Sequence, residues 1–173
     1  MSRSTRPSWM LFLATLALMI SAAATALAQT SEKLFFIQRS KNANEVHYDA
    51  RVTANGTLQA KDPVDAYWLR KAQDGSRASI TMLQKIAYGF DVAPAEAGTY
   101  TMRLTALKER PLTLLRVNGR WRAQTLIGGK QAYLNRLYIA TDESGLFPKV
   151  LYVDVFGEEV GTGNAIQEHL VKK

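Results

Sequence analysis

Cysteine is absent from this chain of 173 residues, and histidine occurs only twice. Without cysteine there is no disulfide, thiolate metal ligand, thiol nucleophile or lipoprotein anchor, so the hydrophobic core has to hold the fold unaided. His47 and His169 have no G-x-S-x-G companion and no ligand partner two or four positions away. The sequence therefore offers no catalytic triad and no histidine-based metal site, and both side chains read as solvated. The glycine-rich stretches Gly128-Gly129-Lys130 and Gly161-Thr162-Gly163-Asn164 lack the G-x-x-x-x-G-K-[ST] spacing that wraps backbone N–H groups around phosphate. They read as tight turns. No cofactor or metal is expected on these grounds, and no low-complexity tract or fixed-period repeat occurs.

What the chain does contain begins with a leader. Arg3 and Arg6 precede an apolar stretch from Trp9 to Ile20, and Ala26-Leu27-Ala28 precedes Gln29. These are the three parts of a secretory signal, and cleavage after Ala28 is expected. The strongly apolar part is about a dozen residues, short of the ~20 that span a bilayer. A periplasmic or secreted protein follows, with residues 29–173 forming one domain and no membrane span in the mature chain. The formal charge of +7 falls by two when the leader is removed. Positive side chains such as Arg51, Arg70, Arg103, Arg116 and Arg122 are dispersed rather than blocked, which reads as a solvated surface and not as a nucleic-acid footprint.

Period-two alternation dominates the remainder. Val46, Tyr48, Ala50 and Val52 face one way, and Glu45, His47, Asp49 and Arg51 the other. Tyr100, Met102 and Leu104 repeat the pattern, with further strands over 34–39, 64–71, 112–117, 120–127, 133–141 and 150–156. Turn signals separate them: Asn55-Gly56, Asn118-Gly119 and Gly128-Gly129. Asn118-Gly119 supplies the two positive φ angles of a type I′ turn and predicts a hairpin of strands 112–117 and 120–127. Asn55-Gly56-Thr57 also spells a glycosylation acceptor, but the turn explains the pair without it. Over 79–88, Ile80, Leu83 and Ile86 stand at helical spacing, predicting one short helix whose apolar stripe covers an end of the sheet. A helical turn is also expected over 164–170. The fold class is mostly β, an antiparallel meander closed as a small barrel-like fold, with a two-sheet β-sandwich as the alternative.

Several segments carry a family resemblance. They are Phe36-Ile37-Gln38-Arg39-Ser40 with Asn42-Ala43-Asn44, Asp62-Pro63-Val64 leading to Tyr67-Trp68-Leu69-Arg70, Gln84 with Ala87-Tyr88-Gly89, and Pro148-Lys149-Val150 leading to Tyr152 and Phe156-Gly157. Together they resemble a bacterial family of exported proteins known as domain of unknown function 4833, over about Lys33 to Gly157. The resemblance implies a compact single domain after a signal peptide and implies no activity.

Charge inside apolar stripes marks the candidate site. Leu134, Arg136 and Tyr138 alternate along one strand, and Val150, Tyr152, Asp154 and Phe156 along the next. If both charges point inward, Arg136 and Asp154 have to pair, because a lone buried charge costs several kcal/mol. In a functional version Arg136 orients an anionic ligand in a barrel mouth lined by Tyr48, Trp68 and Tyr138. Trp68, Tyr88, Phe90 and Trp121 read first as core. The expected function is a noncatalytic binding protein for a hydrophobic or weakly anionic ligand, or for an envelope protein. Two alternatives stand beside it: an envelope hydrolase with carboxylates such as Asp65 or Asp154 as acid and base, and a structural interaction module with an exposed apolar patch. The pairs Asp142-Glu143 and Glu158-Glu159 read as solvated turn residues.

Overall fold

The computed structural model describes residues 30–145 and 148–171. The expected leader and its cleavage point at Ala28 lie outside the described residues.

Eleven strands form one curled sheet. β1 (Thr30–Arg39), β2 (Glu45–Val52), β3 (Val64–Leu69) and β4 (Arg77–Ser79) make a first antiparallel arm. β5 (Phe90–Pro94), β6 (Tyr100–Leu104), β7 (Leu112–Val117), β8 (Arg120–Ile127) and β9 (Lys130–Asp142) make a second. The arms join through one parallel pair, Phe36–Arg39 of β1 beside Arg136–Ile139 of β9. The other edge of β9 carries β10 (Lys149–Glu159), and β11 (Ala165–Val171) lies outside that. A mostly β, barrel-like fold is therefore present, but its strand path ends at β4 and β5 and leaves an open half-barrel.

Local chemistry explains the hairpins. Asn118 and Gly119 hold φ of 49° and 81°, the positive pair that an I′ turn needs, and β7 and β8 have the predicted bounds. The curl brings the arms face to face over the core. Tyr48 stacks on Phe35 at 4.6 Å, meets Phe90 edge-on at 5.8 Å, and donates its hydroxyl to the Tyr88 carbonyl at 2.8 Å. Burial pushes the Tyr48 phenol far up, so it stays a neutral donor. Trp121 closes the other end, its indole N–H donating to Gly56 O at 3.0 Å.

Four expectations change. The helix is one turn, α1 (Lys85–Tyr88), and Leu83 and Ile86 are 77% and 69% exposed, so the stripe does not cover the sheet. β4 already ends at Ser79, and Thr81 and Gln84 exchange hydrogen bonds across the turn: Thr81 N donates to Gln84 Oε1 at 2.9 Å, and Gln84 N to Thr81 Oγ1 at 3.4 Å. This reciprocal box caps the turn at Thr81. Residues 165–171 form strand β11 instead of helix, because β10 offers an edge to pair with. His47 is buried, not solvated, as described below.

The fourth change concerns β9 and β10. A bulge opposite Phe156 and Gly157 shifts the register between Leu134 and Arg136. A one-residue insertion reverses every later side chain. Leu134 and Leu137 are both buried in the core, and Arg136 and Tyr138 turn to the outer face. Gly157 sits at the bulge because a Cβ there would collide with the Tyr133 carbonyl. A second shift, between Val150 and Tyr152, turns Val150 inward while Tyr152, Asp154 and Phe156 face outward.

Candidate ligand site

The open side of the half-barrel holds an apolar cavity of about 310 Å³. β1 and β9 supply Ile37, Leu137 and Ile139, β10 supplies Val150 and Val153, and β11 supplies Leu170 and Val171. The wall opposite is the 3₁₀ turn Thr105–Leu107 with its approach, giving Leu104, Ala106 and Leu107, and Ala87 of α1. Among the described residues the eleven that line it are all aliphatic. Such a wall offers a ligand dispersion and water release but nothing that could move a proton. The volume is at the lower end of the ~300–1,000 Å³ usual for small-molecule sites. Val150 and Val171 are 37% and 66% exposed, so the cavity opens to solvent between them and α1.

A polar cleft of about 280 Å³ lies on the far side of the Thr81–Gln84 turn. Arg39 from the end of β1, Asn42 and Asn44 from the β1–β2 turn, Trp68 and Arg70 from β3 and beyond, and Gln84 line it. Segments that carry the family resemblance therefore meet here: the Arg39 to Asn44 stretch, Trp68 with Arg70, and Gln84. Trp68 meets Tyr88 edge-on at 5.2 Å, and its buried indole N–H has no hydrogen-bond partner among the described residues.

The residues singled out from the sequence do not form one site. Tyr48 is wholly buried core. Trp68 lies on the inner side and lines the polar cleft. Arg136 is on the outer face with its guanidinium over the Phe156 ring at 4.1 Å, so the expected Arg136–Asp154 ion pair is absent. Asp154 instead accepts from His169 at 2.7 Å, and Tyr138 lies 6.4 Å from Tyr152. The β9 bulge accounts for Arg136 and Tyr138 and the shift between Val150 and Tyr152 for Asp154, since alternation counted through an inserted residue assigns the wrong face.

The outer face of the first arm is a polar ladder, in which Asp49 Oδ1 is buried with no hydrogen-bond partner among the described residues. His47 lies between Phe36 and Tyr67, ring centroids 5.3 and 5.5 Å away, and Arg77 caps Tyr67 at 3.4 Å. Glu45 accepts from Lys71 at 2.7 Å and contacts His47 Nε2 at 2.8 Å. Burial by itself pushes the Glu45 carboxyl up, but these contacts outweigh it and hold the group below its ordinary range. Asp49 accepts from Ser31 and from the Tyr67 hydroxyl, each at 3.0 Å. Burial and the neighbouring Asp49 charge push the Tyr67 phenol up to about 12. Several other carboxylates are similarly committed. Asp65 pairs with Arg51 and Arg77, both at 2.9 Å, Glu158 with Arg122 at 2.7 Å, and Glu159 with Lys130 at 2.9 Å. Asp142 accepts from Ser144 N, and Glu143 pairs with Lys41.

Sequence reasoning missed Ile37, Leu107, Ile139 and Leu170 as a lining. The available signal was the doubly apolar run Val150-Leu151-Tyr152-Val153, which requires something on both faces. Among the described residues no helix is long and apolar enough to cross a membrane, and no cluster of three or more His, Asp or Glu stands at metal-binding spacing. No curated protein and no solved structure was found to match the chain. A family model, described as domain of unknown function (DUF4833), matches residues 35–169. That span takes in well over half of the chain, and the chain belongs to this family.

Proposed function

We propose that the protein is a noncatalytic binding protein, periplasmic or secreted, that holds an apolar chain in the cavity between β1, β9, β10, β11 and the Thr105–Leu107 turn. One observation carries the reading: every lining residue is aliphatic. Apolar surface open to solvent gains free energy when it is covered, and an alkyl chain recovers about 0.8 kcal/mol per buried CH₂. The pairing of Asp65, Glu158 and Glu159 with cations, and of Asp154 with His169, argues against the hydrolase alternative, since a general acid needs a raised pKa and Glu158 and Glu159 are held low. Placement outside the cytoplasm rests on the leader, with Arg3, the apolar stretch and Ala26-Leu27-Ala28.

The test is titration with dodecanol below its solubility limit, using the wild type, Leu107→Glu, Leu170→Glu, and Leu126→Glu as a surface control. Leu126 is half exposed and outside the lining. The cavity variants should lose at least tenfold in affinity and the control should not change. Equal binding by all four proteins would defeat the proposal. A second reading, an envelope interaction module, is favoured by Met82, Leu83 and Ile86, which stand 80%, 77% and 69% exposed on one turn. Cross-linking in the native host with Met82→Ser/Leu83→Ser tests it, since a docking tip predicts loss of a discrete adduct.

A further inference from the structure

The polar cleft is built from donors. Asn42 Oδ1 already accepts from Asn44 N at 3.0 Å, Asn44 Oδ1 from Ala72 N at 2.9 Å, and Gln84 Oε1 from Thr81 N at 2.9 Å. Backbone N–H groups can only donate, so these bonds fix each amide's orientation and leave its NH₂ as the uncommitted end. Arg39 and Arg70 add two guanidinium groups, and neither forms an ion pair among the described residues. The acids closest to them are engaged elsewhere: Glu143 with Lys41 at 2.8 Å, and Asp74 with Ser76 N at 3.0 Å. Among the described residues no carboxylate lines the cleft. Two guanidinium groups and three uncommitted amide NH₂ groups suit an anion with several acceptor oxygens.

The cleft also adjoins the apolar cavity. Ile37 lines the cavity and Arg39 the cleft, two positions apart on the same side of β1 and therefore about 7 Å apart along the strand. We propose that the Arg39–Arg70 cleft receives an oxyanion, phosphate or carboxylate, as the head of an amphiphile whose chain lies in the neighbouring cavity. The inference rests on the chain-binding reading above and adds the ligand's chemical class.

Calorimetric titration with dodecyl phosphate, dodecanol and inorganic phosphate separates the parts, for the wild type, Arg39→Gln, Arg70→Gln and the double variant. The proposal predicts that dodecyl phosphate binds the wild type at least tenfold more tightly than dodecanol. The double variant should lose that preference while its dodecanol affinity stays within twofold. Arg70 is exposed, so Arg70→Gln is a variant whose folding is not at risk. Equal affinity for the two dodecyl compounds in the wild type, or a preference that survives the double substitution, overturns the anion site while leaving the apolar cavity intact. If dodecanol binds nothing, the chain reading fails. Inorganic phosphate that binds the wild type and not the double variant then supports the cleft as a site for a free anion, and phosphate indifferent to both arginines overturns it.

Discussion

On the inner face of β2, Val46, Tyr48, Ala50 and Val52 are shut from water by aliphatic and aromatic neighbours, whereas on its outer face Glu45, His47 and Asp49 reach nearly the same burial by ion pairing and ring stacking. The two faces are covered by different physics. Inside, the gain comes from area removed from water and from packing density. Outside, burial is tolerable because partners replace lost hydration: Lys71 and His47 for Glu45, Ser31 and Tyr67 for Asp49. Alternation along a strand therefore separates two chemistries without telling which face is wet.

The largest effect that distinguishes the faces is expected from Tyr48→Ala. It removes a fully buried ring that bridges both arms and should cost about 3–5 kcal/mol in urea unfolding. Glu45→Ala on the opposite face leaves His47 and the Lys71 ammonium without their acceptor and should cost about 1–3 kcal/mol. Equal losses for the two would remove the distinction. Acid titration sharpens it further. Glu45, Glu158 and Glu168 are all held below the ordinary glutamate value of 4.5. Burial opposes the Glu45 shift and the Lys71 and His47 contacts outweigh it, while Arg122 and Arg110 hold the other two down. As pH falls through 4.5, the unfolded chain binds protons that the folded chain refuses, so stability present above that pH is lost below it. The urea midpoint should drop across this window, and Glu45→Gln should make the drop shallower.

Arg110→Ala should cost about 1 kcal/mol. Its guanidinium holds both oxygens of Glu168, at 2.7 and 2.9 Å, and so ties β11 to the loop before β7. Met82→Ser and Leu83→Ser should change stability by less than about 0.5 kcal/mol, because 80% and 77% exposure leaves little burial to lose. A larger loss would mean that the turn is covered in solution.

The legible parts of the fold were those set by local chemistry. Asn118-Gly119 determines its own φ angles, so β7 and β8 could be read residue by residue. Val46 and Tyr100 alternation reported the inner face correctly because β2 and β6 carry no bulge. Arg136 and Tyr138 were misassigned because the inserted residue in β9 is invisible to a count of two, and Asp154 because of the one in β10 between Val150 and Tyr152; only the pairing of the two strands reveals them. β11 was read as helix because Ile166, Gln167, Glu168 and Leu170 are good helix formers, and the edge of β10 overrides that preference. Arg136 was expected inside an apolar mouth, and the structure puts its guanidinium on the outer face over Phe156.

Methyl NMR of the isoleucine, leucine and valine side chains during a dodecanol titration tests the central claim most directly. Shifts confined to Ile37, Leu107, Ile139, Val153 and Leu170, saturating together at one equivalent, are the predicted result. Saturable shifts centred on Leu83 and Ile86 with the cavity methyls unmoved, or no saturable shift at all, would contradict it.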